Sequence, residues 1–308
     1  MTWNPQGLLI KPNPAVWWMS TFAGPAFPIV VTPGHVRFFI TGRDDTNISR
    51  IGPVDVDFTG AAPRIMAFGE PVVDIGPLGC FDHDGAAYPW ITEVDGKLWL
   101  YYVGWLKGHS VAMHHGIGLA VSDGWDKPFE KKSRAPILPL TDAEPFGTGS
   151  CCVTYDGPGR WRMYYTAFRD WRMEDGKPKH YYCIRETTST DGLSWDTNTK
   201  AAIDHRDARE YALGKPCLTR ENGRYVMYFV ARGERYRIWR ATYERGRWIR
   251  DDAPVDIARA DWDSDMQAYP MLFSHKGQDI LLYNGNGYGR SGLGWALRAD
   301  AQSERHAA

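Results

Sequence analysis

One short phrase, used five times, constrains this chain more than any other feature: an apolar run that ends in an aromatic residue and is followed by small residues. It reads RFFITG at 37–42, WLYYVG at 99–104, RMYYTA at 162–167, VMYFVA at 226–231 and ILLYNG at 280–285. With Phe39, Tyr102, Tyr165, Phe229 and Tyr283 as anchors, the spacings are 63, 63, 64 and 54 residues. A period of that size, with several strands in each unit, points to the blades of a propeller.

Two further layers repeat around the anchors. Upstream, Pro89, Pro216 and Pro270 each stand 13 residues before their anchor. Two of these lead-in segments share the pattern D-x-D-x-x-A-Y-P, as DHDGAAYP at 82–89 and DSDMQAYP at 263–270. Downstream, SDGW at 122–125 and STDGLSW at 189–195 place a tight Asp-Gly turn before a tryptophan that starts the next strand. The short strand signals between them are β-branched and aromatic, bounded by Gly, Pro, Asp or Asn, and no long helical period interrupts them. The expectation is an all-β, five-bladed β-propeller, a single domain over 1–308 with blades at approximately 22–60, 82–126, 144–196, 210–250 and 263–299. The turn dipeptides Asp95-Gly96, Asp156-Gly157 and Asn222-Gly223 predict hairpins ahead of the middle strands, and the polar intervals 106–115 and 170–179 predict face loops. The polar segment after Ala299 is expected to fray.

Aromatic residues make up 14% of the chain, with 14 Trp and 16 Tyr. Most suit packing between blades; the rest, Trp105 among them, could stack on the C–H faces of a sugar. With 36 basic against 37 acidic residues there is no charge footprint for nucleic acid or an anionic membrane, so neither partner is expected. The amino-terminal residues lack the pattern of a signal peptide and no apolar stretch approaches a membrane span, which makes a cytoplasmic protein the expectation. Nothing sets an oligomeric state. The five cysteines, without a C-x-x-C pair, are read as small buried side chains.

In a propeller the innermost strands line a central channel, so acids just upstream of the anchors would converge at one mouth. These are Asp82 and Asp84, Glu144, Glu210, and Asp263 and Asp265; the first unit, STFAGPAFP at 20–28, contributes none. Facing carboxylates with pKa values driven apart suit glycosidic chemistry, and Arg43, Arg169 and Arg232, just after their anchors, are the cations that could tune them. His83 and His114 titrate in the right range for acid or base work. Asn284, Asn286 and Tyr288 are placed to bond sugar hydroxyls. No metal site is assigned. A structural calcium ion on the Asp-x-Asp pairs is the one ion the pattern would accommodate, and no organic cofactor is expected, because phosphate-binding and dinucleotide fingerprints are absent.

The lead-in acid, the middle strand ending in Tyr-Tyr or Tyr-Phe and the Ser-x-Asp-Gly-x-x-Trp exit resemble the five-bladed propeller glycoside hydrolases of family 43 and the invertase-like family 32, over roughly residues 15 to 298. The resemblance implies a general base, a tuning acid and a general acid on lead-in segments of different blades. Glu210, in EYALGKP at 210–216, is similar to the family's Glu-Gly-Pro segment and would be the general acid; Glu144, in EPFG, resembles the tuning position, where the family has Asp. The family's first-blade Asp is missing, which would make Asp84 the base and shift weight to Asp265 and the matching pairs of units two and five. The expected function is a carbohydrate-active enzyme that cleaves or transfers a glycosyl group of a small glycoside. A propeller-type phosphorylase, a non-catalytic sugar-binding propeller and a lyase or isomerase remain alternatives.

Overall fold

The computed structural model describes residues 2–299, and the segment expected to fray after Ala299 lies outside them. The strands fall into five successive four-stranded antiparallel units. The first is Phe22–Thr32, His35–Arg43, Ser49–Asp57 and Arg64–Phe68; the second is Gly85–Val94, Lys97–Lys107, Met113–Ser122 and Glu130–Lys131. The third is Thr148–Tyr155, Trp161–Glu174, Lys177–Ser189 and Lys200–Ile203; the fourth is Ala212–Glu221, Arg224–Arg232, Tyr236–Glu244 and Arg247–Arg250. Single parallel bridges, Ser49 to Gly85 and Tyr182 to Ala212, link the first blade to the second and the third to the fourth. The fold is the all-β, five-bladed propeller in one domain.

The fifth blade is closed by a device the repeat did not reveal. Ala268–His275, Gln278–Asn284 and Leu293–Arg298 supply its inner three strands, and the amino-terminal Thr2–Ile10 pairs antiparallel with Leu293–Arg298 as the fourth. The two ends of the chain thus share one sheet, so the ring cannot open without breaking a ladder.

The repeated phrase has a packing cause. The aromatic anchors are wholly buried in the second strand of each blade, and the small residues after them leave room for a ring from the lead-in segment. A Cβ at Gly42 or Gly52 would collide with Trp18; at Gly104 or Gly116, with Phe81 or Pro136; at Gly285 or Gly294, with Trp262. Asp95-Gly96 and Asn222-Gly223 turn with both residues at positive φ, and Asp175-Gly176, Arg245-Gly246 and Lys276-Gly277 do the same. Residues 156–160 form a longer connection.

Two expected face loops differ. Residues 170–179 continue the second and third strands of blade three into a long hairpin whose ladder reaches Glu174 and Lys177. In blade two the strands run to Lys107 and resume at Met113, which leaves a short turn. Among the described residues no helix is long and apolar enough to cross a membrane.

Candidate active site

Every inner strand carries a β-bulge near its start, between Ala23 and Ala26, Ala87 and Trp90, Thr148 and Cys151, Gly214 and Cys217, and Ala268 and Met271. A bulge leaves one residue out of the ladder and re-aims its side chain. In three blades that residue is bulky, precedes a proline and has positive φ: Tyr88 at 56°, Lys215 at 50° and Tyr269 at 60°. Tyr288, at 67°, joins them from the turn after Asn284. The other non-glycine residues with positive φ among those described, Asn47, Asp95, Asp175, Asn222, Arg245 and Lys276, all sit in turns. The four bulky exceptions line one central cavity of about 460 Å³. Such backbone costs about 1–3 kcal/mol per residue and clusters where function holds it in place.

The cavity wall is aromatic. Trp105 meets His115 at 4.1 Å between centroids, His115 meets Phe168 at 5.2 Å, and His180 stacks on Tyr182 at 5.3 Å. Phe168, His180 and Tyr182 come from the long hairpin of blade three, which is why its strands outrun those of the other blades. Opposite, Tyr88 and Tyr269 meet edge to face at 5.2 Å, and the Tyr182 and Tyr236 hydroxyls are 2.6 Å apart. Ser150 and Thr166, whose hydroxyls are 3.1 Å apart, complete the polar lining.

Burial sets the protonation of these groups. It pushes the His115 imidazole down to about 3, with the neighbouring His180, His114 and Arg43 adding to the effect, and it lowers His180, with Arg232 and Lys179 contributing. Burial also raises Tyr88, lifts Tyr182 and Tyr269 well above the ordinary phenol range and brings Tyr236 to about 12. At neutral pH the cavity therefore holds neutral imidazoles and protonated phenols, groups that can exchange hydrogen bonds with a ligand.

No carboxylate lines this cavity among the described residues. The expectation that Asp84, Glu144, Glu210 and Asp265 converge at the channel mouth is corrected by the partners they have taken. Glu144 is buried, accepts hydrogen bonds from Tyr165 at 2.6 Å and Thr199 at 2.7 Å, and is paired with Arg185. Asp82 accepts from Tyr102 at 2.9 Å and pairs with Lys131 at 2.6 Å; Asp263 accepts from Tyr283 at 3.2 Å and Gln267 at 2.8 Å. The first Asp of the D-x-D pattern thus ties the lead-in segment to the anchor tyrosine of its own blade. The second Asp differs between the two: the Asp84 carboxylate accepts from the Lys107 N–H at 2.7 Å, while exposed Asp265 donates its own N–H to Asn286 Oδ1 at 2.8 Å.

Glu210 sits outside the cavity, bonded at 2.8 Å to both Arg250 Nη1 and Nη2 and at 2.9 Å to the Arg206 N–H. Burial would raise its pKa, but these bonds and the Arg250 charge outweigh it and hold the carboxyl below its ordinary value. A general acid needs the opposite shift.

Of the expected substrate-binding residues, Arg43 and Trp105 line the cavity, and Arg232 stands beside it with its guanidinium 4.9 Å from the Tyr236 ring. His114 faces an outer groove with Phe81 and Leu140, His83 lies 4.0 Å from Asp84, and Arg169 donates to the Ala143 carbonyl and lies 3.7 Å from the Glu144 carboxylate, the kind of pairing expected of it. Asn284 is buried and ties the fifth blade to the first through the Ala23 carbonyl at 3.0 Å. Asn286 accepts from the Asp265 and Met266 N–H groups. Tyr88, His115, His180, Lys215, Tyr236 and Tyr269 line the cavity but are not among the site residues expected from the sequence. The signal that could have found three of them is the residue before the repeated proline: Tyr88, Lys215 and Tyr269.

No family profile matches the chain. The Mycobacterium tuberculosis proteins named Uncharacterized protein MT1551 (strain CDC 1551 / Oshkosh) and Uncharacterized protein Rv1502 (strain ATCC 25618 / H37Rv) are each 34% identical over 300 residues, covering 96% of this chain and 99% of theirs. Among solved structures, the BT0996 RGII complex superimposes with a TM-score of 0.73 at 16% identity, over 96% of this chain and 92% of that one. A thermostable family-43 glycoside hydrolase gives 0.64 at 17% identity over 94% and 91%, and the RS223 β-xylosidase gives 0.64 at 14% over 97% and 96%. At these identities the likeness is one of fold, and the folds it joins are those of glycoside hydrolases.

Proposed function

Because the chain belongs to the family of the two Mycobacterium tuberculosis proteins MT1551 and Rv1502, and shares its fold with glycoside hydrolases, we propose that it is a carbohydrate-active enzyme working on a small glycoside in the central cavity. The observation that carries this reading is the ring of bulky residues held at positive φ around an aromatic-walled cavity on the propeller axis. Flat rings such as Trp105 and Phe168 match the apolar faces of a sugar, and the hydroxyls of Ser150, Thr166, Tyr88 and Tyr269 match its oxygens.

Cleavage by two carboxylates requires them about 5–9.5 Å apart across the scissile bond. The lining supplies phenols and imidazoles instead. In this reading Tyr269 or Tyr88 donates a hydrogen bond to the leaving oxygen and His115 or His180 accepts one from the attacking water or phosphate. The nucleophile's proton passes to the imidazole and the phenol's proton to the leaving oxygen only as the bound ligand brings those pKa values back toward neutrality. The same lack of a lining carboxylate favours, as a second reading, a propeller that binds sugar without turning it over.

A panel of chromogenic arabinosides, xylosides, fructosides and uronides, assayed with and without phosphate, tests the proposal. Turnover should fall by about 10²–10⁴ in Tyr269→Phe or in His115→Gln if those groups move protons. Phosphate-dependent release of a sugar 1-phosphate would identify phosphorolysis. Saturable binding without product would establish the second reading, and absence of both turnover and binding would overturn the carbohydrate assignment.

A further inference from the structure

We propose that the central cavity is an anion site, and that the sugar it takes carries a carboxylate or a phosphate group held by Arg43, Lys215 and Arg290. That the ligand is a sugar rests on the function proposed above; that it is an anion does not.

Lys215 is the strongest observation. Its side chain is 1% exposed, its Nζ has no hydrogen-bond partner, and no carboxylate among the described residues pairs with it. Nζ lies 5.7 Å from the centroid of the Trp90 ring, and the buried Cys217, Cys152 and Cys151 thiols act on its charge. Burial lowers its pKa, since an ammonium taken from water without a counter-charge is costly to keep, and an anion bound beside it would restore the charge. The backbone holds it in place: φ is 50°, Pro216 follows, and the Lys215 N–H is directed at Ser150 Oγ at 3.1 Å and Thr166 Oγ1 at 3.3 Å.

Two guanidiniums complete the set. Arg43 lies over Phe22 at 4.4 Å and Trp105 at 5.6 Å, rings that fix its plane, and its buried Nε is without a partner. Arg290 lines the same cavity from the turn after Asn286. Neither is paired with a carboxylate among the described residues. Arg290 is exposed, whereas Arg43 is half-buried like arginines elsewhere in this propeller that do have such partners, Arg250 with Glu210 at 2.8 Å and Arg240 with Glu221 at 2.9 Å.

The rest of the lining points the same way. A neutral sugar presents hydroxyl donors and is gripped by carboxylate and amide acceptors, yet among the described residues the cavity is lined by no Asp, Glu, Asn or Gln. Beside hydroxyls and neutral imidazoles, which both donate and accept, it presents the cationic donors Arg43, Lys215 and Arg290, and cationic donors bond most strongly to ionised oxygens. Burial is the main cause of the lowered His115 and His180, and Arg43 and Arg232 add to those shifts in the direction of a positive potential.

Calorimetric titration of the full chain with three series tests the proposal: neutral glucose, xylose and arabinose; glucuronic and galacturonic acids; and glucose 6-phosphate with inorganic phosphate. At least one charged sugar should bind on the order of tenfold to a hundredfold more tightly than its neutral counterpart, and which series does so identifies the anion as carboxylate or phosphate. The preference should vanish in Lys215→Met and shrink in Arg43→Gln, the second variant guarding against a folding defect in the first. Equal affinity for charged and neutral sugars, or a charge preference that survives in both variants, would overturn the anion site while leaving the carbohydrate reading intact. Binding of inorganic phosphate alone, lost in Lys215→Met, would keep the anion site and overturn the carbohydrate reading. Failure of every member to bind would overturn both.

Discussion

The Tyr165 hydroxyl donates to buried Glu144 at 2.6 Å across 21 residues of sequence, and the same bond joins Tyr102 to Asp82 and Tyr283 to Asp263 across 20. A repeated acid at a fixed distance from a repeated tyrosine thus has a structural explanation: each fastens a lead-in segment to the core of its own blade. Burial, followed by the acid beside it, raises the phenol in each pair, so the proton stays on the tyrosine. Removing the donor leaves a buried acceptor short of a partner. Tyr165→Phe and Tyr102→Phe should each cost about 1–3 kcal/mol in denaturant unfolding and leave ligand affinity at the cavity unchanged.

Glu210→Gln breaks an ion pair whose side chains are only 12% and 10% exposed and strands Arg250. The expected outcome is a loss of roughly 3–5 kcal/mol in chemical denaturation.

Gly104 marks where Phe81 crosses the second strand of blade two, and a Cβ there would overlap the ring. Gly104→Ala should destabilise by about 1–3 kcal/mol, measured as a lower midpoint with an unchanged m-value.

The pH dependence of stability follows from His115. Its folded pKa, about 3, lies below the ordinary 6.5, so between those values the unfolded chain binds more protons and stability falls as pH falls. His180 is shifted the same way. Carboxylates held low in the fold, such as Glu210, lose their contribution only below about 4.5. Lowering the pH from 6.5 to 5 should therefore cost on the order of 2 kcal/mol through an imidazole kept neutral, and His115→Gln should flatten that slope.

Lys215→Met replaces an unpaired buried amine, whose pKa burial lowers, by an apolar chain of similar length. In the absence of ligand the variant should be more stable, by on the order of 1–2 kcal/mol, because function rather than stability keeps the charge there. Thermal unfolding in buffer without phosphate or carboxylate checks the sign.

The blades were legible because packing repeats: anchors such as Tyr102 and Tyr283, and the glycines beside them, answer to the same steric demand in successive sheets. The closing strand Thr2–Ile10 was not, since a strand paired with the far end of the chain has no partner within its own period. The cavity was misplaced for a related reason. Asp82, Glu144 and Asp263 repeat as a structural acid would, whereas the cavity residues at one bulge position are Tyr88, Lys215 and Tyr269, alike in backbone and unlike in chemistry. Repetition reports the scaffold; the site lies where the side chains depart from it while the proline that follows does not change.

The most direct test is a crystal structure of the protein soaked with a charged sugar. The expected result is the ligand in the central cavity, its ionised oxygens about 3 Å from Lys215 Nζ or the Arg43 guanidinium and its ring against Trp105 or Phe168. A ligand seated instead in the groove beside Glu210 and Arg259, with the central cavity empty, would contradict the account.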